Sequence, residues 1–129
     1  MSGTARGRPR VGIVVGSESD LGVMDACGRI LDDYGVGWEL GVISAHRAGD
    51  LVRRYGSTAR ERGLRVLVAG AGGAAHLPGV LASLTILPVI GVPLAGTPLH
   101  GMDSLLSIVQ MPAGIPVATV AVGEAGARN

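Results

Sequence analysis

A glycine-rich stretch with a histidine, Arg65–Val80 (RVLVAGAGGAAHLPGV), is the part of the sequence best suited to ligand chemistry. Val66–Ala69 is a short apolar run typical of a strand buried on both faces, and the glycines after it let backbone N–H groups approach a ligand. A helix from Ala74 onward would direct its N-terminal dipole at an anion, with His76 at its mouth. Taken alone, the stretch could equally be a turn that only reverses the chain.

Two further stretches carry polar residues directly after a predicted strand. Strand Val11–Val15 leads into Gly16–Asp20 (GSESD), and strand Trp38–Ile43 leads into Ser44–Arg47 (SAHR). In a parallel sheet the loops after strands share one edge, where open α/β sheets bind ligands. The sequence therefore predicts one site at this edge. No Gly-Lys-Ser/Thr follows the glycines and no GxGxxG follows the first strand, so neither a Walker loop nor a dinucleotide fold is indicated.

Strands and helices alternate along the chain, which predicts a single α/β domain with a mainly parallel five-stranded sheet between two helical layers. Residues 1–10 are expected to be a flexible tail and residues 11–129 the domain. The remaining predicted elements are helices at 21–34, 50–62 and 102–109 and strands at 89–92 and 117–122.

Composition excludes several function classes. The 129 residues carry a net charge of +1, with no Phe, one Trp and two Tyr, which gives no basis for nucleic-acid binding. No apolar run reaches the ~18 residues of a membrane span, and the N-terminus has no apolar signal core, so a cytoplasmic protein is expected. Cys27 falls in a helical pattern and is interpreted as a small buried apolar residue.

The quoted loops, together with LPVIGVP (87–93), GMDSLLSIVQMP (101–112) and GIPVATVAVG (114–123), resemble the 5-(carboxyamino)imidazole ribonucleotide mutase family of de novo purine biosynthesis. This family is also called the catalytic subunit of phosphoribosylaminoimidazole carboxylase. The resemblance covers residues 11–129 in order. It implies a flavodoxin-like α/β/α sandwich, a homo-octamer, a small-molecule ribonucleotide substrate, and no metal or organic cofactor.

The resemblance also implies roles for individual residues. His46 matches the family's general acid/base. His76 either borders the reacting imidazole as a second catalytic residue or orients its loop. The residues expected to bind the substrate are Ser17, Ser19, Asp20, Ser44, Arg47, Ala71 and Gly72. Paired guanidinium donors and hydroxyls suit a phosphate, and a carboxylate suits ribose hydroxyls.

The implied reaction moves a carboxylate from the exocyclic nitrogen of the imidazole to ring carbon C4. A plausible course protonates the nitrogen, releases and traps CO2, lets C4 attack it and removes the C4 proton. Histidine suits both proton transfers at neutral pH, and backbone N–H groups of the glycine-rich loop can hold the carboxylate or CO2.

The sequence departs from the family pattern in several places. Glu18 replaces an Asp, and Ala48-Gly49 replaces Thr-Pro, which predicts a looser helix start. The segment Gly96–His100 differs from the usual serine-rich version, and His100 is expected to be a surface loop residue. The family continues past Asn129 with a long helix that packs on neighbouring subunits, so the chain is expected to lack that helix, and the octamer is expected only where it is present.

Two alternative functions remain open at this point. One is direct CO2-dependent carboxylation of aminoimidazole ribonucleotide, which bicarbonate dependence would distinguish. The other is a non-catalytic nucleotide-binding or receiver-like module. The sequence disfavours a receiver, since Ala69-Gly70 stands where the phosphoacceptor Asp would be.

Overall fold

The core of the protein is a twisted sheet whose long strands are short runs of buried apolar residues. The computed structural model describes residues 2–3 and 7–129. The strands are β1 (Ser2–Gly3), β2 (Val11–Val15), β3 (Trp38–Val42), β4 (Val66–Gly72), β5 (Val89–Leu94) and β6 (Ala118–Thr119). The helices are α1 (Leu21–Asp33), α2 (Gly49–Thr58), α3 (Leu77–Ala82), α4 (Met102–Val109) and α5 (Glu124–Arg128).

The strand order is β1-β3-β2-β4-β5-β6, and only the two-residue β1 runs antiparallel to its neighbour. The five parallel strands follow the 2-1-3-4-5 order of the flavodoxin-like fold. The predicted fold class is therefore confirmed. The order reverses between β2 and β4, and the crevice outside their carboxyl ends is where this architecture binds ligands.

Alternation along the strands divides the core between the two sheet faces. In β4, Leu67, Ala69 and Ala71 face the layer of α2, α3 and α4, whereas Val68 faces α1 and α5. Each helix buries one apolar side against the sheet. The result is a three-layer sandwich that holds every strand end in a fixed position.

The glycine-rich stretch differs from its prediction. Gly70, Ala71 and Gly72 continue β4 and pair with β5, so the predicted loop after Ala69 begins only at Gly73. A Cβ on Gly70 would lie 2.7 Å from the Met24 side chain, so this glycine is needed for packing and not for ligand approach. Gly73, at φ +61°, makes the turn.

Three other elements are shorter than predicted. The helix after Gly73 begins at Leu77 and not at Ala74. Helix α2 stops at Thr58, and turns carry the chain to Gly63, whose φ is +97°. The last strand, which lies at the edge of the sheet beside β5, keeps only two residues of the predicted 117–122.

A polar cluster, the Glu39 cluster, joins β3 to the α2 region. Tyr55 Oη donates to Glu39 Oε1 at 2.8 Å, and Arg62 Nη1 donates to the two Glu39 carboxylate oxygens at 2.9 and 3.2 Å. The Arg62 guanidinium also lies over the Tyr55 ring, 4.7 Å from its centre. A Cβ on Gly12 would overlap the tyrosine hydroxyl, so the glycine of β2 makes room for the cluster.

Cys27 is buried among the apolar side chains between α1 and the sheet, as predicted. Burial raises the pKa of its thiol to about 11, which keeps it protonated and unreactive at neutral pH. Of the predicted tail, residues 1 and 4–6 lie outside the described residues. Arg8 Nε donates to the Arg62 carbonyl at 2.9 Å. In the described part of the chain, no helix is long and apolar enough to cross a membrane.

Candidate functional site

A cavity of about 480 Å³ opens at the carboxyl edge of the sheet, above β2, β3, β4 and β5. This size is typical of a small-molecule site. All nine predicted site residues line it: Ser17, Ser19, Asp20, Ser44, His46, Arg47, Ala71, Gly72 and His76. The prediction that three separated stretches meet at one edge therefore agrees with the structure.

The loop after β2 presents two hydroxyls and a carboxylate. Ser17 caps a 3-10 turn at Glu18–Asp20, accepting from the Ser19 backbone N–H at 3.4 Å, and the two serine hydroxyls lie 2.9 Å apart. Asp20 occupies the N-cap position of α1, but its side chain makes no capping bond. Burial raises the pKa of the Asp20 carboxyl above its ordinary value.

The loop after β3 carries Arg47 at its end. Ser44 Oγ accepts from the Arg47 backbone N–H at 3.2 Å, which fixes the turn. Arg47 Nη2 donates to the Gly16 carbonyl at 3.3 Å and so reaches across to the β2 loop. Its remaining guanidinium donors have no partner among the described residues. Helix α2 begins at Gly49, and Ala48 at its N-cap makes no side-chain capping bond, as expected from the replacement of Thr-Pro.

The two histidines of the cavity are in direct contact. His46 Nε2 and His76 Nδ1 are 2.6 Å apart, and the rings meet edge to face with centres 4.8 Å apart. One of these nitrogens must carry a hydrogen and the other must accept it. Both histidines are exposed and line the cavity. The pair therefore holds one proton between two loops that come from different strands.

Backbone geometry sets the position of His76. It precedes α3 as its N-cap, and Pro78, which favours the first helical turn, follows closely. The histidine side chain makes no capping bond of its own. Its ring is thus available to His46 and to the cavity.

The end of β5 and the loop after it also line the cavity, through Leu94, Ala95, Gly96 and Thr97. In the sequence, this segment was noted only as a departure from the family pattern. The rule that loops after parallel strands share one edge would have found it, because the segment follows the predicted strand at 89–92. His100 is exposed on this loop, as expected.

Thr97 is fixed by a short hydrogen bond. Its Oγ1 donates to Asp103 Oδ2 at 2.5 Å, and Asp103 Oδ1 accepts from the Ser104 backbone N–H at 2.9 Å. The bond from Thr97 is the main cause that lowers the pKa of the Asp103 carboxyl. Among the described residues, no group of three His, Cys, Asp or Glu side chains lies close enough to hold a metal ion.

Comparison with known proteins agrees with this geometry. The family model described as AIR carboxylase matches residues 10–129. The chain is 59% identical over 123 residues to N5-carboxyaminoimidazole ribonucleotide mutase of Pyrococcus abyssi, covering 95% of this chain and 70% of that protein. It is 58% identical over 122 residues to the mutase of the same name from Bacillus subtilis, covering 95% and 75%.

Solved structures support the same relationship. The crystal structure of Treponema denticola PurE superposes with a TM-score of 0.81 at 26% identity, covering 93% of this chain and 76% of that one. The predicted family is confirmed by the match over nearly the whole chain and by the high identity to its members. The chain belongs to the AIR carboxylase family.

Proposed function

We propose that this protein is an isomerase of purine biosynthesis that converts 5-(carboxyamino)imidazole ribonucleotide to 4-carboxy-5-aminoimidazole ribonucleotide. Relatives at 58–60% identity carry the name of this mutase. The observation that carries the chemical assignment is the contact between His46 and His76 at the mouth of the cavity.

The reaction needs one proton delivered and one removed. Protonation of the exocyclic nitrogen breaks its bond to the carboxyl carbon and releases CO2 within the cavity. The electron pair of C4 then forms the new C–C bond, and loss of the C4 proton restores the aromatic ring. The proton count is unchanged, so a single group can serve as acid first and base afterwards.

His46 is the proposed proton carrier. Its ring is exposed to the cavity, and its contact with His76 supplies a neighbour that can exchange a hydrogen with it. In this proposal the hydrogen between the rings is carried by His46 Nε2 and accepted by His76 Nδ1, which orients the His46 ring. His46 Nε2 gives this hydrogen to the substrate nitrogen and takes one back from C4, after which the contact with His76 is restored. We assign His76 this supporting role, with orientation of the glycine-rich loop as its second effect.

The substrate phosphate is proposed to lie between the loops after β2 and β3. Arg47 offers unused guanidinium donors there, and Ser17 and Ser19 offer hydroxyls. Charge-assisted bonds of this kind are stronger than neutral ones. The Asp20 carboxylate lines the same part of the cavity and suits the ribose hydroxyls.

Direct carboxylation of aminoimidazole ribonucleotide is the second candidate, because the matching family model is described as AIR carboxylase. Purified protein should be mixed with 5-(carboxyamino)imidazole ribonucleotide alone, and formation of the C4-carboxylated isomer followed. The mutase should work without ATP, metal or added bicarbonate. Conversion of aminoimidazole ribonucleotide that appears only as bicarbonate is raised would favour the carboxylase.

We further propose assembly into a homo-oligomer, which would be an octamer where the family's C-terminal helix is present. Apolar side chains along α4 are exposed in the single chain: Met102 at 58%, Leu106 at 61% and Val109 at 48%. Their spacing of three and four residues forms one stripe along the helix. Such a stripe on a soluble protein suits contact with a second copy. Sedimentation should show an oligomer that Leu106→Glu dissociates, whereas a monomeric wild type would refute the assembly.

A further inference from the structure

We propose that Thr97, positioned by Asp103, orients the substrate by accepting a hydrogen bond from the exocyclic nitrogen of the imidazole. This inference rests on the proposed mutase function. It adds a specificity contact on the β5 loop, opposite the phosphate end of the cavity.

The Thr97 hydroxyl has no free donor for a ligand. A threonine hydroxyl has one hydrogen, and Thr97 gives it to Asp103 Oδ2. Thr97 lines the cavity, and towards a ligand there its hydroxyl oxygen can therefore only accept. Phosphate and carboxylate oxygens are acceptors too, so they are poor partners for it, whereas an N–H or O–H of the ligand is a good one.

The Asp103 carboxylate is itself held in place. Its second oxygen accepts from the Ser104 backbone N–H, and the buried Ser104 hydroxyl donates to the Leu94 carbonyl at 2.7 Å. Ser107 Oγ donates to the Asp103 carbonyl at 2.7 Å. The first turn of α4 thus ties the end of β5 to the carboxylate and keeps the Thr97 rotamer fixed.

The order of the strands indicates which part of the ligand would lie next to Thr97. Phosphate donors lie on the loops after β3 and β2, and Thr97 lies on the loop after β5, two strands or ~10 Å beyond β2. The Thr97 methyl group would lie 3.6 Å from a Cβ on Gly73. Thr97 therefore lies beside the glycine-rich loop proposed to enclose the ring. The N–H group at that end of the substrate is the exocyclic nitrogen, which remains a donor before and after the carboxylate moves.

The test compares Thr97→Val, which keeps the shape and removes the hydroxyl, with Thr97→Ser, which keeps the hydroxyl. Affinities are measured by calorimetry for the carboxylated product and for ribose 5-phosphate, which lacks the ring. Thr97→Val should weaken product binding by about 3- to 10-fold, as expected for one hydrogen bond, and leave ribose 5-phosphate binding unchanged. Thr97→Ser should stay near wild type for both ligands.

Asp103 is tested as a positioning residue through a double-mutant cycle. Asp103→Ala should weaken product binding in the wild-type background and have no further effect in Thr97→Val. An equal effect in both backgrounds would show that Asp103 does not act through Thr97.

Two other outcomes overturn the inference. If Thr97→Val weakened ribose 5-phosphate binding as much as product binding, the donor to Thr97 would be a ribose hydroxyl. Wild-type product affinity in Thr97→Val would remove the contact altogether while leaving the mutase function intact. A wild-type protein that neither isomerises the substrate nor binds the product would overturn both proposals.

Discussion

The candidate site and the Glu39 cluster both gather polar side chains from separate elements, but they use them differently. In the Glu39 cluster, Tyr55 and Arg62 both donate to one carboxylate, whose side chain is only 13% exposed. At the carboxyl edge of the sheet, Arg47 makes one side-chain hydrogen bond within residues 2–3 and 7–129, at 3.3 Å, and the ring of His46 is hydrogen-bonded there to His76 alone. Donors left without partners are available to a ligand, whereas satisfied ones can only stabilise the fold.

The difference follows from where the side chains are attached. Glu39 lies within β3 and Tyr55 within α2, so regular elements fix both ends of their bond. The site residues lie on loops just past strand ends, where the backbone is held but the side chains are not enclosed. Substitutions in the first group should change stability, and those in the second should change activity.

The largest effect is expected from His46→Asn, which keeps a polar side chain but cannot carry a proton near neutral pH. Acid/base catalysis typically contributes about 10²–10⁴-fold, so turnover should fall by at least that factor while the protein stays folded and binds the product. His76→Asn should retain more activity. Single-turnover kinetics on folded protein would measure both, and the reverse order would move the proton carrier to the glycine-rich loop.

A smaller effect is expected from Arg47→Ala. The lost charge-assisted bonds serve substrate and transition state alike, so the Michaelis constant should rise about 10-fold or more with little change in turnover. Arg53→Ala, an exposed arginine of α2 outside the cavity, is the matched control. If both variants bound substrate equally well, Arg47 would not belong to the phosphate site.

Sequence patterns were sufficient for the features that depend on local chemistry. Apolar runs gave the strands β2 and β4, helical spacing gave α1 and α4, and the parallel-sheet rule brought His46 and His76 to one edge. The contact between the two rings, however, depends on how the loops lie above the sheet. No local pattern specifies that geometry.

Other features were missed because their partners are far apart in the chain. Tyr55 is 16 residues from Glu39, and Arg62 is 23 residues from it, so no periodicity links them. The role of Gly70 was misread for a similar reason: the Met24 side chain that requires it comes from α1, 46 residues earlier in the chain. A glycine after an apolar run indicates that another group lies close to the backbone, but it does not show whether that group is a ligand or a side chain of the protein.

For substitutions in the Glu39 cluster we expect the protein to lose stability but to keep its activity. Glu39→Leu leaves the buried Tyr55 hydroxyl and Arg62 without their acceptor, which should lower the free energy of unfolding by about 1–3 kcal/mol. Arg29→Ala breaks an exposed pair with Asp25 and should cost at most about 0.5 kcal/mol. Urea unfolding and mutase kinetics on the same samples would check this, and reduced turnover in folded Glu39→Leu would contradict the separation.

The smallest effect concerns the pH dependence of Tyr55, whose pKa is raised first by burial and then by the Glu39 charge. Unfolded tyrosine ionises near pH 10, whereas the folded side chain stays protonated well above that pH. The folded state then binds more protons, so the stabilisation is complete below about pH 10 and is lost as pH rises towards the folded pKa. Tyr55→Phe should be about 1 kcal/mol less stable than wild type at pH 8, and the gap should shrink above pH 10. Cys27 is present in both proteins, so its titration cancels in the difference. Parallel stability curves between pH 8 and pH 11 would mean that Tyr55 ionises as easily in the folded protein as in the unfolded chain.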